Sequence, residues 1–402
     1  MPAPSRSSPA PLPSTVGATL LEWFRRHRRP LPWRRRRTPY RIWVAEVILQ
    51  QTRVEPAIPY YERFVREFPT VRALAAAPLD RVLKVWEGAG YYARARHLHV
   101  AARVLVRDRS GRLPATVDEL EELPGIGPYI ARAVASLAFD VPTVALEANG
   151  LRVGARWILE EGDIRAGATR RRIETALTAA MAGRSPGAFN EAIMELGETV
   201  CRPIAPRCER CPVAFACGAY RELEDPGTIP RPQVRARRPH VRAAVVLLED
   251  GRGRWLVQRR PPRGLLGGLW ELPGGKIRSR ETAESAAERE LREETGGKAR
   301  SLTPIGVVRH AYSHFTVELH VFLGRARLPL PAPGGERRWV TLREIRDLPI
   351  PKATEKVLSL LRSGRPGRAS RGSGSRRGRT SASRSREVRP RAHRALSKGT
   401  GS

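Results

Sequence analysis

The sequence predicts a multidomain protein: an all-α first half, then a small α+β domain, flanked by polar tails. Three observations predict it. The chain has 402 residues, long for a single core. From Val16 to about Tyr220, apolar residues recur every three or four positions, the period of helices with one buried face. From residue 239 the texture changes to short runs rich in β-branched residues, with one strong helix among them. A hydrophobic content of 41% suffices for both cores.

The elements follow in order. Residues 1–15, "MPAPSRSSPAPLPST", are Pro/Ser-rich and are expected to be disordered; they hold no apolar signal-peptide core. Residues 16–220 read as helices, among them "GATLLEWFRRH", "PYRIWVAEVILQQTRV", "LDRVLKVWEGAG" and "YYARARHLHVAARVLV". Pro39 suits a first helical position, and Thr116-x-x-Glu119 has the form of a capping box. Residues 221–238, rich in Pro and charge, read as a linker. Residues 239–362 form the second domain, with strands in "HVRAAVVLLED", "RWLVQRR", "PIGVVRHAY" and "FTVELHVFLGRARL" and a helix over Thr282 to Thr295. Residues 363–402 carry 12 Lys or Arg against the single acid Glu387 and are expected to be a disordered basic tail.

The formal net charge is +33, from 73 Lys+Arg against 40 Asp+Glu. That excess points to a polyanionic partner, above all nucleic acid. No run of 18 apolar residues occurs, so no membrane span is expected. A soluble, cytoplasmic monomer is the expectation.

Four patterns carry chemistry. Cys201, Cys208, Cys211 and Cys217 are the only cysteines, spaced C-x6-C-x2-C-x5-C. Four thiolates in one loop can hold zinc or a [4Fe–4S] cluster; zinc more often uses two paired knuckles with a longer gap. In "LPGIGPYIARAVASLAF", Gly125 and Gly127 free the backbone to turn and to present N–H groups at a helix start, where phosphate binds. Glu46 is the one polar residue from Ile42 to Leu49. A carboxyl there is desolvated, so its neutral form is favoured, and a neutral acid can protonate a leaving group. The alternative is a buried glutamate satisfied by hydrogen bonds. In "VPTVALEANGLRV", Glu147 stands between an apolar run and Asn149-Gly150, and the residues alone leave open whether it is a turn charge or a working acid.

The cysteine spacing, with "NEAIMELGETVCRP" before it, resembles the cluster loop of the endonuclease III/MutY family of DNA glycosylases. The Gly125–Gly127 segment resembles that family's helix-hairpin-helix, which grips the DNA backbone. Lyase members have a nucleophilic lysine two residues past the second glycine; here stands Tyr129, which cannot form a Schiff base. The resemblance is therefore to the hydrolytic, monofunctional MutY branch. It implies Glu46 as the general acid, Gln51 inserted into the DNA stack, Tyr91 of "GAGYYARARHLH" as a wedge, and Arg29, Leu31 and Trp33 around the adenine. Aligned through Asn149, Arg152, Val153 and Arg156, Glu147 falls where the family has a catalytic aspartate, one methylene shorter. Tyr129 and Asn149 are the expected hydrogen-bond partners that accommodate it.

In the second domain, Gly275 to Gly296 fits G-x5-E-x7-R-E-U-x-E-E-x-G, the Nudix box, with Gly297 where the pattern prefers an apolar residue. Glu290, Glu293 and Glu294 share a helix face, a hard-oxygen set suited to Mg²⁺. "RHAYSHFTVELHVF" resembles the MutY loop that reads 8-oxoguanine, with Tyr312, Ser313 and His314 as readers. The family usually degrades this metal box, which here is nearly intact. Over residues 16–360 the resemblance implies an all-α helix-hairpin-helix glycosylase domain with an iron–sulfur loop, then a Nudix-like α+β domain. Its implied function is hydrolysis of the N-glycosidic bond of adenine opposite 8-oxoguanine or guanine in double-stranded DNA. Two alternatives stand beside it: a Nudix pyrophosphohydrolase acting on 8-oxo-dGTP-type nucleotides, and a silent mismatch binder if Glu147 cannot replace the aspartate.

Overall fold

The computed structural model describes residues 12–231, 238–327 and 336–363. Its first half is helical: α1 (Thr15–His27), α2 (Pro32–Arg35), α3 (Pro39–Leu49), α4 (Val54–Glu67), α5 (Val71–Ala76), α6 (Leu79–Val85), α7 (Ala93–Arg109), α8 (Val117–Glu121), α9 (Pro128–Phe139), α10 (Ala148–Trp157), α11 (Gly167–Met181), α12 (Pro186–Thr199) and α13 (Gly218–Glu222). The start signals act as the residues suggest. Thr38 caps α3 by accepting from the Arg41 N–H at 3.2 Å, with Pro39 next. Thr116 accepts from the Glu119 N–H at 3.4 Å at the start of α8. No helix among the described residues is long and apolar enough to cross a membrane.

This half has two cores. One gathers the apolar faces of α3 to α9, with Trp43, Tyr61, Phe64 and Trp86 at its centre. The other joins α1, α10, α11 and α12, and includes Cys217 and Ile229. Glu46 belongs to an element of the first and Glu147 to an element of the second, so the groove between the cores brings the two acids into one space.

The boundaries shift from the sequence reading at three places. Thr15 opens α1 and Leu12 packs on the second core, so the expected disordered N-terminus ends earlier; residues 1–11 lie outside the described residues. The expected linker is built into the helical half in its first part: Ile229 is buried and its carbonyl accepts from the Arg156 Nε at 2.6 Å, while residues 232–237 lie outside the description. Ser363 closes a helix, and the rest of the expected basic tail, 364–402, also lies outside.

The second half is a mixed sheet between helices. Its elements are β1 (His240–Glu249), β2 (Trp255–Arg259), β3 (Trp270–Glu271), β4 (Gly274–Lys276), α14 (Ala283–Thr295), β5 (Ala299–Ala311), β6 (Thr316–Ala326), β7 (Arg337–Val340), α15 (Glu344–Asp347) and α16 (Lys352–Ser363). The order is β3-β2-β1-β6-β5, with β4 also on β1 and β7 also on β2; β1 and β6 run parallel and the other pairs antiparallel. Alternate residues of β1 face opposite sides. Val246 and Leu248 pack under α14, and Leu247 joins the cluster that holds Val357 of α16. The sequence reading missed α16, although Ala353, Val357 and Leu360 have helical spacing.

The two halves pack as parts of one unit ending at Ser363. Leu269, from the loop before β3, is fully buried in the first helical core. Asp80 of α6 pairs with Arg259 and accepts from the Trp270 Nε1 at 3.3 Å. The Lys84 Nζ donates to the Leu348 carbonyl at 3.2 Å, and Arg96 to the Gly267 carbonyl.

Candidate active site

Helix α3 is buried from Ile42 to Ile48, which leaves Glu46 only 5% exposed. The Tyr129 hydroxyl donates to its Oε2 at 2.9 Å. Burial pushes the Glu46 carboxyl up to about 7; the Tyr129 hydrogen bond opposes the shift, and the charges of Glu191 and Glu147 add to it. Both protonation states are therefore accessible near neutrality. Tyr129 is the second residue of α9, so the hairpin that starts this helix also aims the hydroxyl. Burial, and then the charges of Glu46 and Glu147, hold that hydroxyl well above its ordinary range, so it stays a donor.

Glu147 is the N-cap of α10, and its Oε1 accepts from the Asn149 N–H at 2.8 Å. Burial raises its carboxyl, while that hydrogen bond and the Arg152 charge work against the rise. Arg152 also donates to the Asn149 Oδ1 at 2.7 Å, which fixes the start of the helix. Of the two partners expected for Glu147, Asn149 serves through its backbone. Tyr129 spends its hydroxyl on Glu46, because the α3–α9 packing brings that carboxyl closer.

Both acids line a cleft of about 950 Å³, together with Arg29, Leu31, Trp33, Gln51, Tyr91, Tyr129 and Asn149. Residues spread over some 120 positions of sequence thus meet in one cavity. Leu31 and Trp33 are mostly buried, and Trp33 sets its ring edge-on to Tyr61 at 5.4 Å. Arg29 is held at the cleft wall by ion pairs: its Nε donates to Glu195 at 2.6 Å, and a second nitrogen lies 3.3 Å from Glu55. The sequence reading missed this wall. Arg34 bonds Glu191 and Glu195 at 3.0 Å each, and Arg37 bonds Glu191 at 2.5 Å. The signal was present in "NEAIMELG", which places two acids four residues apart on an otherwise apolar helix.

Gln51 and Tyr91 both occupy the left-handed region, with φ of 58° and 47°. Gln51 is exposed at the turn after α3, and Tyr91 is half-buried in the loop before α7. Of the hairpin glycines, only Gly125 needs its freedom: φ is +80° and a Cβ there would overlap His97. Gly127 has φ of −95° as the N-cap of α9, and a Cβ there would meet nothing, so its value is open room beside the backbone. Neither glycine lines the large cleft; Gly125 borders a smaller adjoining one with Gln50, Arg94 and His97.

In the second half, Tyr312, Ser313 and His314 form the turn between β5 and β6, closed by the Tyr312 N–H on the Phe315 carbonyl at 2.8 Å. Ser313 and His314 are exposed; Tyr312 stacks on Phe315 at 4.8 Å and burial pushes its hydroxyl up to about 12. His314 reaches the helical half and meets the Tyr91 ring edge-on at 5.6 Å.

The three Nudix-box acids all lie on α14. Arg289 holds Glu281 at 2.7 Å, Glu290 at 2.7 Å and Glu293 at 3.0 Å, and Glu294 accepts from the Gly274 N–H at 2.9 Å. The arginine at the box's R position pairs with both Glu290 and Glu293, and the Glu290 charge reaches Glu294. Burial pushes Glu294 up to about 7. Among the described residues, no three His, Cys, Asp or Glu side chains are grouped for a single metal ion. The four cysteines instead border one small cavity with Arg156, Trp157 and Pro226. Burial pushes the Cys211 thiol up to about 12 and Cys217 up to about 11. Burial also raises Cys208, against the charge of Arg156, whose Nη1 lies 3.3 Å from the Cys201 Sγ.

Residues 44–179 match the model of the HhH-GPD superfamily of base excision DNA repair proteins, and residues 244–360 match that of the NUDIX domain. The class is therefore a base excision repair glycosylase of the HhH-GPD superfamily joined to a NUDIX domain. The adenine DNA glycosylase of Mus musculus is 32% identical, the match covering 87% of this chain and 78% of the mouse protein. That of Homo sapiens is also 32% identical, covering 87% and 74%. A solved thermostable thymine-DNA glycosylase is 28% identical, covering 52% of this chain and 96% of its own, with a TM-score of 0.47. The chain belongs to the adenine DNA glycosylase family, and its activity is the removal of adenine from DNA in base excision repair.

Proposed function

We propose that this chain is a monofunctional, hydrolytic glycosylase that acts as a monomer on adenine paired with 8-oxoguanine or guanine. The observation that carries the reading is the Tyr129–Glu46 pair. The position where a lyase would have lysine holds a phenol, and that phenol donates to a buried carboxyl pushed up to about 7. Adenine leaves well only when protonated, and a neutral Glu46 has the proton to give. Glu147, held by the first N–H groups of α10, faces the same cleft with its charge available to a cationic sugar. Gln51 and Tyr91 enter the duplex as the base leaves the stack, and Leu31 and Trp33 offer it apolar surface. Tyr312, Ser313 and His314 are the readers of the opposite base. The hairpin at Gly125–Gly127 takes a backbone phosphate.

The four cysteines fit a [4Fe–4S] cluster: all four thiols border one cavity in one short loop. A bound cluster would supply the positive charge that keeps the thiolates ionised, and Arg156 of α10 holds the loop itself by donating to the Arg202 and Pro203 carbonyls.

The test is adenine release from an A:8-oxoguanine duplex, with borohydride present in a parallel sample. Free adenine without a trapped protein–DNA adduct is expected. A trapped adduct would overturn the monofunctional reading, and no adenine release would overturn the substrate.

A further inference from the structure

Gln51 and Tyr91 sit on separate stretches of chain, the turn after α3 and the loop before α7, yet both are held at positive φ. Non-glycine residues keep that conformation only where their surroundings impose it. One side chain reaches both stretches. Arg94, in the first turn of α7, donates through Nη1 to the carbonyls of Val47 at 2.8 Å and Ile48 at 3.0 Å, and to that of Gln50. Through Nη2 it donates to Ala89 at 2.9 Å and Gly90 at 3.1 Å. Its guanidinium also lies over the rings of Trp86 at 5.3 Å and Tyr91 at 5.4 Å.

The chemistry suits the arrangement. The carbonyls at the end of α3 have no helical partners, and a cation there is favoured by the helix dipole. A guanidinium is planar, so carbonyls bound to its two ends are held at a fixed separation. Burial lowers Arg94 to about 10, so the group stays charged at neutral pH. Both Nη atoms are committed to backbone carbonyls and Nε is buried without a partner, which leaves no donor for a DNA phosphate. The arginine faces the cleft as its frame.

We propose that Arg94 is a positioning residue for base extrusion, fixing the Gln51 turn and the Tyr91 loop at one spacing before DNA arrives. The inference rests on the reading of Gln51 and Tyr91 as the residues that enter the duplex. Because Tyr91 also touches His314, the same frame sets where the β5–β6 turn of the second half meets the wedge.

The experiment uses the full chain and an A:8-oxoguanine duplex with 2-aminopurine beside the target adenine, so that unstacking is read as a fluorescence rise. Arg94→Lys and Arg94→Ala should slow the rise on the order of tenfold or more, since displacement of about 1 Å already costs that much in aligned sites. In both variants adenine release becomes limited by extrusion, so its fall with rising pH near 7 flattens. Millimolar methylguanidinium should restore the rise in Arg94→Ala. Gln51→Ala and Tyr91→Ala run alongside. If they slow extrusion and the Arg94 variants do not, only the Arg94 proposal falls. If they leave extrusion unchanged, the reading beneath it falls too. Loss that merely follows a lowered melting temperature, without rescue and with the pH profile intact, would make Arg94 a structural anchor and overturn the proposal. Should Arg94→Ala fail to fold, Arg94→Lys decides by the same two readouts.

Discussion

The protein carries glutamates in both halves, and Glu46 in one and Glu281 in the other are treated in opposite ways. In the helical cleft, Glu46 has a phenol for its partner and Glu147 a backbone N–H, and burial raises both. At α14, Glu290 and Glu293 of the helix and Glu281 of the turn before it are tied to one arginine, and Arg289 drives Glu281 down to about 2. The same residue type thus becomes a proton donor at Glu46 and a fixed anion at Glu281. The difference lies in the partner: a neutral hydrogen-bond donor leaves protonation open, whereas a guanidinium closes it.

The sharpest way to break the comparison is Glu46→Gln. It keeps the shape and removes the proton, and single-turnover adenine release should fall by about 10²–10⁴-fold, the usual worth of a general acid. A drop of only a few-fold would show that another group protonates the base. Next comes Glu147. Glu147→Ala should cost about 10²-fold or more in the same assay, as for loss of a charge aimed at a developing ion. Glu147→Asp should keep or improve the rate, because aspartate also caps a helix start; an inactive Asp variant would remove Glu147 from the chemistry.

A smaller effect sharpens the role of the phenol. Glu46 acts when protonated, and its carboxyl is raised to about 7, so the rate should be highest below that pH and fall as pH rises through it. The Tyr129 hydroxyl favours the charged carboxylate. Tyr129→Phe removes that help and should move the falling limb to higher pH; a limb that stays put or moves down contradicts the pairing. The smallest effect belongs to the other half: Glu293→Gln, on an acid held by Arg289 and Arg278, should leave adenine release within about twofold, the range of substitutions away from a working site. The same variant assayed with Mg²⁺ and 8-oxo-dGTP tests the Nudix alternative, for which turnover by the wild-type chain is the required first result.

What could be read beforehand follows from where the information sits. Glu46 was visible because a single acid interrupts an apolar run, and the cysteines because four thiols crowd one loop. Glu147 needed a family alignment, since a glutamate before Asn-Gly is locally unremarkable among turn residues. Glu191, Glu195 and Arg94 were not identified. Arg94 stands in a helix with several other arginines, and only folding brings it to carbonyls more than 40 positions away. The helix α16 is hidden for a different reason: its apolar spacing is short and lies between Pro349, Pro351 and a basic run. Backbone strain at Gln51 and Tyr91 has no sequence signature at all.

Leu269 bears on how the gene can be cut. This side chain belongs by sequence to the second half and by packing to the first, filling space in the core that holds Leu83 and Trp86. Dividing the chain at residues 232–237 would therefore give two fragments that are both incomplete, one with a hole in its core and the other with a leucine in water. The halves read as separable modules along the sequence, but shortened versions for assay or crystallography would need that loop carried across or Leu269 replaced.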